Sequence, residues 1–165
     1  MNLRPATVDD LDAIMELERA SFQGDAWSTA VMRAELASEH NWYVVAEAPG
    51  RLDGYAGLRA PAGGTDADVQ TIALAESARG RGQGRALLRE LLREADRRRI
   101  REVFLDVRDD NVTAQNLYRS EGFVEIGRRP NYYPDGNVDA VVMRLDVAGW
   151  RAATNPSPTD AGACT

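Results

Sequence analysis

The chain has 165 residues, 44% apolar and 28% charged, which suits one soluble domain with its own core rather than two. A net charge of −6 argues against DNA or general nucleic-acid binding, an affinity that rests on neutralising phosphates. A single histidine (His40) and a single cysteine (Cys164) disfavour a metal centre, a Ser-His-Asp triad and a disulfide frame, so no metal is expected.

No apolar run approaches the length of a membrane span, and Met1-Asn2-Leu3-Arg4-Pro5 lacks a signal-peptide core; a cytoplasmic protein without membrane contact is expected. Leu3–Ala6 reads as a short edge strand, because proline cannot serve a central ladder. Thr7 and the acids Asp9 and Asp10 mark a helix start, with Leu11, Ile14 and Met15 on its buried face. This helix is expected to end near Ser21–Asp25. Trp27-Ser28 opens a second helix to about Ser38, with Ser28 as its cap. The loop between them carries Phe22 and Trp27, which either line a groove or pack over a sheet. His40 reads as a loop residue. Trp42–Glu47 and Gly54–Arg59 form an antiparallel hairpin, and Asp68–Leu74 is the next strand.

Arg79-Gly80-Arg81-Gly82-Gln83-Gly84-Arg85 follows that strand and runs into a helix striped with Leu87, Leu88, Leu91, Leu92 and Ala95. Glycines let N–H groups converge without a Cβ in the way, and a helix start adds orphan donors with a partial positive charge. The matching ligand is a diphosphate; the alternative is a glycine-rich turn that only caps the helix. A Walker loop is excluded, since the chain contains no lysine, and the glycine spacing is not that of a dinucleotide fingerprint. Arg97–Arg101 reads as a solvated helix end, with a patch for RNA or a nucleotide phosphate as the competing reading.

Glu102–Arg108 is a strand placed after a crossover helix, and so parallel to Asp68–Leu74. Val112–Glu121 is a short helix stopped by Gly122. Phe123–Gly127 and Asp139–Leu145 are the last strands, separated by the segment Arg128–Gly136. The sum is an α/β domain over residues 1–147, a mixed central sheet of about seven strands flanked by about four helices. Residues 148–165 read as a disordered tail, and a chain ending at Arg151 is expected to keep its activity.

Arg79-x-x-Gly82-x-Gly84 resembles the pyrophosphate signature of the GCN5-related N-acetyltransferases (GNAT), Arg/Gln-x-x-Gly-x-Gly/Ala, and the order of elements matches that fold. The resemblance implies acetyl-CoA as co-substrate, held by Arg79, Gly80, Arg81, Gly82, Gln83, Gly84 and Arg85, with the backbone of Ile72, Ala73 and Leu74 along the pantetheine arm. Leu105-Asp106-Val107-Arg108-Asp109-Asp110-Asn111, Leu117-Tyr118 with Gly122-Phe123, and Asn131-Tyr132-Tyr133-Pro134 more closely resemble bacterial ribosomal-protein alanine N-acetyltransferases of the RimI type. Phe22 and Trp27-Ser28 match a Phe-Pro-Trp-Ser element of that group, with Ala26 where proline is usual.

Carried over by position, Tyr118 matches a general acid that protonates the departing sulfur, or else is a core tyrosine. Asp106 matches a general base, although the group has glutamate there; the shorter aspartate reaches the amine through a bridging water or is instead paired with an arginine. Asn111 matches a cofactor contact and also reads as a helix cap. Tyr132 and Tyr133, with Trp27 across the groove, wall the acceptor, or form a turn packed on the sheet. The implied function is acetylation of a protein N-terminal α-amine, the alanine of ribosomal protein bS18, by a monomer or weak dimer. The competing functions are acetylation of lysine side chains, other N-termini or a small amine, and a non-catalytic acyl-CoA-binding module.

Overall fold

Seven strands build one sheet: β1 (Asn2–Pro5), β2 (Asn41–Ala48), β3 (Arg51–Arg59), β4 (Asp66–Leu74), β5 (Glu102–Arg108), β6 (Val124–Tyr133) and β7 (Val138–Asp146). Their spatial order is β1-β2-β3-β4-β5-β7-β6 in this computed structural model, which describes residues 2–155. Five α-helices accompany them among the described residues: α1 (Leu11–Phe22), α2 (Thr29–Ala37), α3 (Gln83–Arg97), α4 (Val112–Glu121) and α5 (Val147–Thr154). All neighbouring strands run antiparallel except β4 and β5, which are parallel as the crossover through α3 requires.

The apolar stripe of α3 explains its place. Leu87, Leu88, Leu91, Leu92 and Ala95 are all fully buried, packed with Leu58, Val103 and Met143 on one side of the sheet. Each such leucine contributes about 1.5–3 kcal/mol of burial. The other side is covered by α1, whose Leu11, Ile14 and Met15 meet Tyr43, Val45 and Tyr55. Ser28 caps α2 by accepting the Val31 N–H at 3.2 Å.

The join between β4 and β5 is short. Its register pairs are Asp66 with Glu102, Ala67 with Val103, and Asp68 with Phe104; beyond these the two strands part. A bulge lies beside the parting: Gly57 and Leu58 of β3 face Thr71 and Val69, which leaves Gln70 as the extra residue on β4.

Two stretches differ from the sequence expectation. β6 continues through Arg128–Tyr133, which reads as a loop in sequence, because it is an edge strand where Pro130 costs no ladder bond. It holds its pairing with β7 through two register shifts, with Asn131 at φ 51°. The expected tail is corrected more sharply, since residues 147–154 form α5. Asp146 caps it by accepting the Gly149 N–H at 3.0 Å, and Trp150 is buried at 7% exposure. Cys164 and the remainder of that tail lie outside the described residues.

Candidate active site

Where β4 and β5 part, a cleft of about 700 Å³ opens between them. One wall is Val69–Leu74 of β4, whose edge on that side has no strand partner among the described residues; the other is Leu105–Arg108 of β5. Ile72, Ala73 and Leu74 therefore offer backbone donors and acceptors to whatever lies in the gap.

The glycine loop closes one end. Gly80 and Gly82 adopt φ 76° and 77°, and a Cβ on either would meet nothing within 4 Å. Gly82 is the N-cap of α3, and the first intrahelical bond is donated by Ala86 to the Gly82 carbonyl at 3.1 Å. The N–H groups ahead of Ala86 are orphan donors at the positive end of a 15-residue helix, a ready anion cradle. Gly84 differs: its backbone is ordinary, and an added Cβ would touch the Leu74 and Leu117 side chains at 3.5 and 3.6 Å. Gly82→Ala is accordingly expected to cost about 1–2 kcal/mol of stability. Gly84→Ala should be neutral or gain up to about 1 kcal/mol, since alanine is the better helix former. Urea denaturation of the two variants checks the contrast, and an equal cost in both would count against this account of the loop.

The arginines of the loop divide by use. Arg79 lines the cleft and donates to the Leu74 carbonyl at 3.4 Å. Arg85 also lines it, but its guanidinium is engaged with the Glu121 carboxylate at 2.6 Å. Arg81 and Gln83 are not among the lining residues.

Tyr118, from α4, reaches the cleft with 9% exposure and stands edge-on to Phe123 at 5.8 Å. Burial alone pushes its phenol up to about 12, so it keeps its proton across the physiological range. Asp106 lines the same cleft from β5, and its carboxylate lies 3.4 Å from the Arg129 guanidinium. Asp68 stands near it: partial burial, and then the like charge of Asp106, raises the Asp68 carboxyl above its ordinary value. Asn111 caps α4 by accepting the Ala114 N–H at 3.1 Å, and it lines the cleft as well. Among the described residues, no three of His, Cys, Asp and Glu gather to hold a metal ion.

Across from β5, Phe22 at the end of α1 and Trp27 of the α1–α2 loop face the cleft together with Tyr133. Tyr132 does not line it; it is 49% exposed, set edge-on to Tyr133 at 5.1 Å and covered by Arg129 at 5.7 Å. The two walls are tied together. Arg108 donates to Asp25 at 2.6 Å and to the Asp135 carbonyl at 3.0 Å, while the Asp135 N–H donates back to Asp25 at 3.0 Å. Asp25, Asp68 and Glu18 carry no motif of their own in the sequence, and Arg108 is legible there only as part of Leu-x-Val-Arg. Glu18, on α1, accepts the Trp27 N–H at 3.0 Å and the Tyr55 hydroxyl.

A splayed parallel pair, an unpartnered β4 edge and a glycine-capped helix start thus meet in one cleft. Residues 11–123 match the family model of the acetyltransferase (GNAT) family, and the chain belongs to it. It is 45% identical over 142 residues to the N-alpha-acetyltransferase RimI of Mycobacterium tuberculosis, covering 83% of this chain and 87% of that one. A putative ribosomal protein bS18 alanine N-acetyltransferase of Bacillus subtilis is 34% identical over 148 residues, covering 88% and 95%. An uncharacterized protein of Mycobacterium leprae is 46% identical over 144 residues, of whose length the chain spans 39%. The crystal structure of the ribosomal-protein-S18-alanine N-acetyltransferase of Escherichia coli superposes with a TM-score of 0.78 at 29% identity, over 88% of this chain and 93% of that one. The chain is thus an acetyltransferase of RimI-like type.

Proposed function

We propose that the cleft transfers the acetyl group of acetyl-CoA to the α-amine of a protein N-terminus, with the alanine of ribosomal protein bS18 as the favoured acceptor. The observation that carries this reading is the junction of the free β4 edge with the anion cradle at Gly80–Gly84. A long ligand with amide groups in its arm and a diphosphate at its end fits that sequence of contacts. The acceptor is drawn from the relatives whose names specify it, in Bacillus subtilis and Escherichia coli. We place the protein in the cytoplasm, where ribosomal proteins are made, acting as a monomer or weak dimer.

Acetyl-CoA supplies the activated thioester when bound; the rest falls to the chain. The β4 backbone and the glycine loop, with Arg79, hold the arm and the phosphates. Trp27 and Tyr133 wall the acceptor. Asp106 takes the amine proton through water, which spans the distance that aspartate leaves relative to glutamate. The Arg129 ion pair orients its carboxylate. Tyr118 donates to the sulfur as charge develops there.

The deciding experiment is release of free CoA with a panel of peptides. Turnover led by an alanine-starting peptide supports the reading, lysine-bearing peptides with blocked termini leading would redirect it, and no turnover would leave only a binding module. Within that assay, Asp106→Asn is expected to lose about 10²-fold in kcat/KM at pH 7, the low end for a positioned base. The deficit should shrink as pH rises past the α-amine pKa of about 7.7–8.0, where solvent removes the proton instead. An unchanged pH–rate profile would take the base role from Asp106.

A further inference from the structure

Glu18 stands apart from the other carboxylates of the cleft. It is 2% exposed, yet it lines the cleft from α1. Its Oε1 accepts the Trp27 N–H and its Oε2 accepts the Tyr55 hydroxyl. Asp25 and Asp106 each have a guanidinium at hand, whereas among the described residues no arginine or histidine lies within ion-pair distance of Glu18. Two neutral hydrogen bonds do not cancel a buried negative charge, whose isolation from water costs several kcal/mol.

Two more acceptors share the place. Ser21 Oγ lies one turn along α1 on the same face as Glu18, and Thr71 Oγ1 lies on β4 beside the Tyr55 hydroxyl. Both oxygens are buried and both residues line the cleft; among the described residues Ser21 Oγ has no hydrogen-bond partner, and Thr71 Oγ1 has only the Tyr55 hydroxyl beside it. Orphan buried hydroxyls are uncommon and point to a missing partner. A carboxylate without a cation, flanked by one unpartnered hydroxyl oxygen and a second with lone pairs to spare, is complementary to a compact cation with several N–H groups. A primary ammonium carries three.

We infer that Glu18, Ser21 and Thr71 form the subsite that takes up the acceptor's primary ammonium group. The inference rests on the N-acetylation reading and adds the group that recognises the amine, while removal of the proton stays with Asp106. An α-amine of pKa about 7.7–8.0 arrives mostly protonated at neutral pH, so the subsite meets the abundant form. It also distinguishes substrate from product, because the acetylated terminus has lost both the charge and two of its N–H donors. Product is therefore released from a place that no longer attracts it.

The test uses Glu18→Gln, which keeps an oxygen for the Trp27 N–H and offers an amide donor to the Tyr55 oxygen, so that only the charge is lost. Calorimetry with the full chain and CoA compares an alanine-starting peptide with its Nα-acetylated twin at pH 7. The free-amine peptide should bind about tenfold more weakly or worse, the scale of one charged hydrogen bond, while the acetylated twin is unaffected. Ser21→Ala and Thr71→Val should each weaken only the free-amine peptide, by a few-fold. Equal losses for both peptides would make Glu18 a mere support for Trp27 and overturn the inference, as would no loss for either. Should Glu18→Gln fail to fold, the two hydroxyl variants carry the same comparison. Turnover of the wild-type chain is followed alongside. Turnover without discrimination between the peptides removes the subsite and leaves N-acetylation standing, whereas no turnover on any protein N-terminus removes both.

Discussion

Tyr118→Phe is expected to lower kcat by about 10²–10⁴-fold while acetyl-CoA affinity stays as it is, the signature of an interaction made only as the sulfur departs. The change removes one oxygen and keeps the ring that packs edge-on against Phe123, so the melting temperature should hold. Burial lifts this phenol to about 12, above the ~8.5 of an ordinary thiol. Under the proposed mechanism full proton transfer to sulfur would then be uphill, and the hydroxyl would act chiefly as a hydrogen-bond donor to the growing charge. One consequence is checkable in the wild-type enzyme: the kcat profile should show no falling limb from this group up to about pH 10. Turnover of the Tyr118→Phe variant at a rate close to wild type would assign the acid role to water.

Glu121→Gln is the second large effect, and it falls on stability. Glu121 is buried where α3, α4 and α5 meet, with its side chain 2% exposed, accepting from Arg85 at 2.6 Å, Arg89 at 2.8 Å and the Trp150 indole at 3.0 Å. Burial by itself would raise its carboxyl; the hydrogen bonds from Trp150, Arg85 and Arg89 outweigh this and hold it below its ordinary value. Breaking a fully buried pair costs about 3–5 kcal/mol, and here Arg85 and Arg89, 39% and 41% exposed, can turn to water. A loss of about 2–3 kcal/mol in urea denaturation is the expected result. The sign of the pH dependence follows from the depressed carboxyl. Its stabilisation is present above the unfolded-state value of about 4.3 and is lost as pH falls through the lower folded one. The gap between wild type and Glu121→Gln should therefore close on acidification from pH 7 toward 3. A gap independent of pH would point to packing instead of charge. Because the same carboxylate steadies Arg85 in the first turn of α3, shortening the chain ahead of Trp150 is expected to loosen the phosphate cradle as well.

What could be read in advance follows the distance over which each signal acts. The glycine loop, the α3 stripe, the Ser28 cap and the strand-helix-strand crossover are all written within a few residues, and the fold shows each of them. Contacts between remote segments leave no such trace. Glu18 with Tyr55, Arg108 with Asp25, and Glu121 with Trp150 join positions 37, 83 and 29 residues apart. α5 was legible in principle, since Asp146 is an N-cap type and Trp150 an apolar anchor four residues on; the small and polar residues after Ala148 obscured it. The far end of β6 reads as a loop because Pro130, Asn131 and Gly136 are loop residues by composition, and only the edge position lets a strand tolerate them.

The short β4–β5 join has a mechanical consequence. β1 to β4 form one slab and β5, β7 and β6 another, stitched by three register pairs at one end and left ajar at the other, with α3 lying over the first. An extended molecule seated in the gap would act as the missing rung of the ladder, bonding a slab edge that has no strand partner there among the described residues. Occupancy then stiffens the whole sheet, and the chain's resistance to unfolding rises with ligand concentration as mass action requires. The empty chain is accordingly expected to be the form that unfolds most readily.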